Sequence, residues 1–229
     1  DNLGRSANRG ECMQVCRRGY TVRDRETGVE LDVDNKYIMS PKDLKTIGFI
    51  DKMYAAGVRV FKIEGRARSA EYVSTVVSCY KEALEAVVDG TFSSEKTAEW
   101  DERLATVFNR GFWDGYYLGR KLGEWSEKYG SEATERKVYV GKGVKYYSKL
   151  GVAEFKLEAG AISKGDKLLV VGPSTGAVYF EATEIRYDLQ PVDHAEKGQH
   201  ISIPVSERVR PSDKLYRIEH LMKTLKTHK

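Results

Sequence analysis

Cysteine is scarce in this chain, with three among 229 residues. A small, odd number does not suit the paired disulfide framework of a small secreted domain. Long apolar runs are missing too. None approaches the ~20 residues a membrane-crossing helix needs, and no signal-peptide pattern precedes the first cysteine. A cytoplasmic setting without membrane contact is therefore expected. HExxH does not occur, and no cysteine has a histidine paired with it locally, so the short signature of the zinc hydrolases is absent. No methionine stands at position 1, which is Asp1, and a fragment of a longer protein or one half of a split one is expected. Nor is either sign of charge in large excess: 38 Lys+Arg against 34 Asp+Glu leave a net +4.

What is present is concentrated at the start. Cys12 and Cys16 lie four residues apart among Arg5, Arg9, Arg17 and Arg18, with Gly4, Asn8 and Gly10 close by. Thiols ligate or attack only as thiolates, and neighbouring guanidinium groups favour that charged form. The pair is open to three readings: half the ligand set of an iron–sulfur cluster or a zinc ion, a disulfide, or two incidental thiols. The other ligands are not evident nearby, because Cys79 falls in a helical stretch and His194, His200, His220 and His228 all come late. Cys79 reads as an inert core thiol. A second basic cluster, Lys223, Lys226 and Lys229, ends the chain, and clusters of this kind attract phosphates or acidic substrates.

Local patterns then set the organisation. Tyr20–Asp24 and Val29–Val33 alternate around a turn at Arg25–Gly28, predicting a hairpin. Ser40-Pro41-Lys42-Asp43 reads as a helix start, with Leu44, Ile47, Ile50, Met53 and Tyr54 inward and a stop at Gly57. The run Val58–Ile63 predicts a strand. After it a helix opens at Ser69, with a buried stripe of Val73, Val76, Val77, Tyr80, Leu84 and Val87, and closes near Gly90. Such alternation builds parallel sheets whose chemistry sits on loops at the strands' carboxyl ends. That places Lys62, Glu64, Arg66 and Arg68 at an expected site. The segment 91–132 is a helical and aromatic connector whose island Phe108–Gly119 suits either RNA stacking or a plug between domains. Short strands from about residue 136 (Val138–Val140, Val152–Leu157, Lys167–Val171, Val178–Tyr187, His200–Val205 and Lys214–Ile218) predict a small β-barrel over 133–218, and 219–229 forms a basic tail.

These segments resemble a known family. Gly4 to Cys16, Lys62-Ile63-Glu64-Gly65-Arg66, Ser69-Ala70-Glu71-Tyr72-Val73 and Asn109-Arg110-Gly111-Phe112 are similar to the motifs of peptidase family U32, the collagenase-like proteases. Ser40, Lys42, Asp43 and Leu44 match another, with Pro41 inserted. The resemblance implies an α/β plus all-β architecture: residues 1–90 would contribute the last strands and helices of a modified TIM barrel, and the small barrel would be similar to the second domain of elongation factor Tu.

The resemblance also implies a function. Similar proteins carry out prephenate-dependent hydroxylation of the wobble uridine of tRNA, with relatives acting on ribosomal RNA or ubiquinone precursors, and they use an iron–sulfur cluster. On that basis Cys12 and Cys16 would hold iron. Lys62, Arg66 and Arg68 would pair with the carboxylates of a prephenate-like dicarboxylate, since guanidinium binds carboxylate bidentately. Glu64 would orient a cation or move a proton, with Lys62 beside it as a catalytic candidate, and Arg5, Asn8 and Tyr72 would complete the binding residues. Two other readings stand beside it: the peptidase of the family's label, and a non-catalytic barrel that docks on RNA or protein. For Lys62, Glu64 and Arg66 a plain salt-bridge network at a strand end is the structural alternative.

Overall fold

The structure, a computed structural model, describes residues 19–33, 42–65, 68–119 and 131–221. The chain divides into two compact units, one drawn from Asp1–Arg68 and Cys79–Glu132, the other from Ser69–Ser78 and Ala133–Lys229.

In the first unit the hairpin forms as the alternation requires. β1 (Tyr20–Arg23) pairs antiparallel with β2 (Glu30–Val33), Tyr20 opposite Val33. Asp24 closes the turn, its Oδ1 accepting from the amides of Glu26 at 2.9 Å and Thr27 at 2.6 Å, the short-range bonding that makes aspartate a turn residue.

The helix expected from Ser40 begins later. Asp43–Leu44 is instead a short strand, β3, parallel to β4 (Phe112–Trp113). The carboxylate expected to support a helix start is taken up by segments distant in sequence, at Arg68 and Arg110. A 3-10 turn at Ile47–Phe49 leads into α1 (Ile50–Ala55), with Ile47 and Ile50 fully buried. Gly57 ends it at φ +96, a conformation that costs a side chain dearly.

Val58–Ile63 is not a strand. Strand propensity stabilises nothing without a neighbour to accept and donate the ladder's hydrogen bonds. None lies alongside among the described residues, and Val60 is 87 % exposed.

The next helix, α2 (Ala70–Val88), forms where expected, and the division between units falls inside it. Its buried face is turned partly from the one expected: Val76 is buried as expected, together with Cys79, Ala83 and Ala86, and Tyr80, Leu84 and Val87 are half-buried, whereas Val73 and Val77 stand 37 % and 45 % exposed. The spacing of three, four and three is still helical, but mostly small side chains, rather than the run of valines, face inward. The connector holds a third helix, α3 (Ser94–Thr106), capped by the Ser93 hydroxyl, which accepts from the Lys96 amide. It buries Trp100 and Leu104, and the Trp100 indole donates to Glu82 at 3.0 Å.

The second unit is dominated by one eight-stranded antiparallel sheet. Its strands are β5 (Glu135–Tyr147), β6 (Val152–Leu157), β8 (Lys167–Gly172), β9 (Gly176–Glu181), β10 (Ile185–Tyr187), β11 (Gln190–Val192), β13 (His200–Pro204) and β14 (Lys214–His220), in the order β11-β10-β13-β6-β5-β14-β8-β9. A separate pair joins β7 (Ile162–Ser163) to β12 (His194–Ala195). The stretch Val178–Tyr187, expected as one strand, is two, because β9 pairs β8 at one end of the sheet while β10 pairs β11 and β13 at the other. Phe155 of β6 and Phe180 of β9 stack with ring centroids 6.3 Å apart although four strand steps separate them. At nearly 5 Å per step a flat sheet would hold them about 19 Å apart, so the sheet curls over its own core.

That core joins Val140, Phe155, Leu157, Ile162, Leu168, Ile185, Ile201, Ile203 and Leu215, each 0–1 % exposed. A close backbone approach also shapes it, since a Cβ on Gly172 would overlap the carboxylate of Asp213, which accepts from the Thr175 hydroxyl and the Arg210 amide. Among the described residues no helix is long and apolar enough to cross a membrane.

Phe155→Ala is expected to destabilise this unit by about 3–5 kcal/mol through lost burial and an unfilled cavity, measured by urea unfolding. A loss below about 1 kcal/mol, the scale of a conservative core trim, would contradict the curled sheet.

Candidate functional site

Three separate segments of the first unit meet at one carboxylate. Arg68 lies just beyond the Lys62–Arg66 motif, and its Nη2 donates to both oxygens of Asp43, at 2.9 and 3.1 Å. The Arg110 amide donates to Oδ2 of the same group at 3.0 Å. The two side chains of the ion pair are 14 % and 22 % exposed, so water screens it only in part. The Arg68 guanidinium also lies over the Phe108 ring, 4.5 Å from its centroid.

Backbone bonds hold the same junction: the Asp43 amide donates to the Gly111 carbonyl at 2.9 Å and the Lys45 amide to that of Trp113 at 2.8 Å. Asn109, 3 % exposed, supports the loop from inside. Its Nδ2 donates to the Val107 carbonyl at 2.9 Å and its Oδ1 accepts from the Gly111 amide at 3.2 Å. Lys45 closes the edge against Asp101 at 2.7 Å.

Of the residues expected to form a site, Lys62 and Glu64 are exposed on the irregular segment that leads into this junction. Arg68 already holds a carboxylate, Asp43, through Nη2. Tyr72 is half-buried in the first turn of α2, in the other unit. Beside it, burial pushes the Glu71 carboxyl up, but hydrogen bonds from Lys137 and Ser69 outweigh this and hold it below its usual range. Arg5, Asn8, Cys12, Cys16 and Arg66 lie outside the described residues.

Asp43 and Asn109 belong to motifs legible in the sequence without a role of their own. Asp43 carries a signal, an acid in a motif that accompanies arginine-rich segments, but local pattern assigns it to a helix start.

The cysteines bear on a metal or cluster. Two thiolates are half the four ligands that zinc or a cubane cluster takes. Cys79 does not complete the set: it is fully buried, and burial pushes its thiol up to about 11. Among the described residues no group of three or more His, Cys, Asp or Glu is placed to hold a metal ion. The described residues therefore add no further ligand to the cysteine pair read from the sequence, and no chemical step is routed through such a centre.

Among the described residues the hydrolytic machinery is also incomplete. The Ser163 hydroxyl lies 3.0 Å from His194 Nδ1, but the imidazole is half-exposed and Glu196 stands 3.8 Å from its other nitrogen. A carboxylate at that distance does not fix the ring as a catalytic triad requires.

The chain belongs to peptidase family U32, whose model matches residues 2–127. It is 65% identical over 93% of its length to a protein named Collagenase from Porphyromonas gingivalis, covering 52% of that protein. It is 39% identical over half its length to the tRNA hydroxylation protein P1 of Bacillus subtilis, covering 28% of it. The chain thus spans about half the length, or less, of these curated relatives. A solved C-terminal domain of a Geobacillus thermoleovorans putative U32 peptidase aligns with 34% of this chain and 90% of its own, at 17% identity and a TM-score of 0.33.

Iodoacetamide at pH 8 is expected to leave Cys79 unmodified in the folded chain, since a thiol near 11 is thiolate only about one part in a thousand and has no access. Rapid native alkylation of Cys79, read by peptide mass spectrometry, would contradict its core role.

Proposed function

We propose that this chain is the C-terminal part of an RNA-hydroxylating U32 protein whose first substrate class is a tRNA uridine. The observation that carries the reading is the 39% identity to a tRNA hydroxylation protein over half of this chain, beside a family match over residues 2–127 that contains the Asp43 junction. In this reading Lys62 and Arg66 meet the carboxylates of a prephenate-like dicarboxylate. Glu64 holds one of those cations in place or moves a proton. Arg68 acts as a positioning residue, tied to Asp43. Arg5, Asn8 and Tyr72 remain candidate contacts to substrate.

Cys12 and Cys16 would supply two ligands of an iron–sulfur cluster, or of zinc, with the rest from outside this chain. Such a cluster would supply electron transfer to the hydroxylation chemistry. Residues 1–90 would complete a TIM-like barrel with another segment or subunit, the 133–218 barrel would take the elongation-factor-like role, and the protein would work in the cytoplasm.

A second reading, a collagen-directed peptidase, is favoured by one observation. The 65% identity to the Collagenase runs over 93% of the chain and therefore takes in most of the barrel, whereas the match to the tRNA hydroxylation protein covers half.

Nucleoside mass spectrometry of tRNA and ribosomal RNA from a strain lacking the gene separates the two. Loss of a hydroxylated pyrimidine is the expected result. Unchanged nucleosides, together with collagen cleavage by the purified full-length protein, would overturn the hydroxylase in favour of the peptidase.

A further inference from the structure

The outer face of the curled sheet carries a row of basic side chains in strict register. His200 of β13 stands opposite Lys156 of β6, Lys156 opposite Lys142 of β5, and Lys142 opposite Lys214 of β14. The residues next to them along the strands, Leu157, Ile201 and Leu215, point into the core at 0–1 % exposure, so the row faces away from it. Lys156 and Lys214 are exposed, and the Lys142 side chain is 43 % exposed. Three strand steps make the row about 14 Å long.

Like charges directly opposite one another across a ladder are destabilising. Internal compensation is partial: Glu158 lies 2.7 Å from Lys142, and Glu154 lies 3.2 Å from His200 Nδ1. No carboxylate forms an ion pair with Lys156 or Lys214 among those seen in the described residues, although Glu158 is close enough to feel the charge of Lys156. One row further along, Lys145 sits opposite Glu154 and over the Tyr147 ring, 4.9 Å from its centroid. Arrangements that work against folding and are only partly compensated from within mark functional surfaces.

We infer that this lysine row on β6, β5 and β14 is a binding track for the phosphodiester backbone of RNA. Lysine is a compact point charge suited to phosphate. A line of such charges matches a polymer with evenly repeated negative charge better than it matches an acidic peptide. The choice of RNA rests on the hydroxylase reading; the charge row does not.

The test uses the full chain and a fluorescent, unmodified tRNA transcript, titrated by anisotropy across a range of salt. The double variant Lys156→Glu/Lys214→Glu is expected to bind at least about tenfold more weakly, and its slope of log affinity against log salt should fall by between about 1 and 2. Lys164→Glu/Lys197→Glu, equal in charge change but off the row, should bind within about twofold of the parent, since lysines that touch no phosphate release no counterions on binding. The neutral pair Lys156→Gln/Lys214→Gln guards against misfolding: it should also lose affinity while melting at or above the parent temperature in low salt, because a repulsion has been relieved. Parent-like affinity and salt slope in Lys156→Glu/Lys214→Glu would overturn the track. So would displacement of the RNA by polyglutamate as readily as by unlabelled tRNA. Unchanged nucleosides in the deletion strain would defeat the hydroxylase reading while leaving these binding results standing.

Discussion

One carboxylate, that of Asp43, fixes the geometry of the first unit. Its two oxygens take a forked pair from Arg68 and a backbone amide from Arg110, three charge-assisted bonds that are individually stronger than neutral ones. They tie the end of the Lys62–Arg66 segment to the loop that opens at Phe108, and the parallel β3–β4 pair continues the same seam. The segment that carries Lys62 and Glu64 has no ladder of its own among the described residues. Arg68 is one anchor of that segment, through Asp43 and through its own amide, which donates to the Gly65 carbonyl at 3.0 Å.

The second unit solves a different problem, that of burying enough apolar surface with short strands. Alternation sends Phe155, Leu157, Ile201, Ile203 and Leu215 inward, and the sheet curls until Phe180 of its last strand stacks on Phe155. The alternate positions are then open to carry charge. On β13, β6, β5 and β14 they line up His200 and three lysines, so the same period that makes the core makes the basic row.

Much of this is legible in the sequence because it depends on local pattern. The hairpin at 20–33, the helix from Ser69 to Gly90 and most barrel strands follow from periodicity and turn residues. What is illegible depends on partners far away in the chain. Asp43 has the residues of a helix start, yet the carbonyls of Gly111 and Trp113 and the guanidinium of Arg68 claim its segment. Val58–Ile63 has strand composition without a strand beside it among the described residues. Valine content misplaces the edge of the buried face of α2, since Cys79, Ala83 and Ala86 are buried with Val76 while Val73 and Val77 are exposed. The lysine row is invisible for a related reason: Lys142, Lys156 and Lys214 are far apart in sequence, and only strand register sets them side by side.

The most direct test of the anchoring role is a double-mutant cycle on Asp43→Ala and Arg68→Ala, followed by urea unfolding of the full chain. The expected coupling is about 1.5–3 kcal/mol, the range for a hydrogen-bonded charge pair with restricted access to water. Additivity within about 0.3 kcal/mol, the behaviour of independent sites, would contradict the account and leave the first unit without the pivot assigned to it.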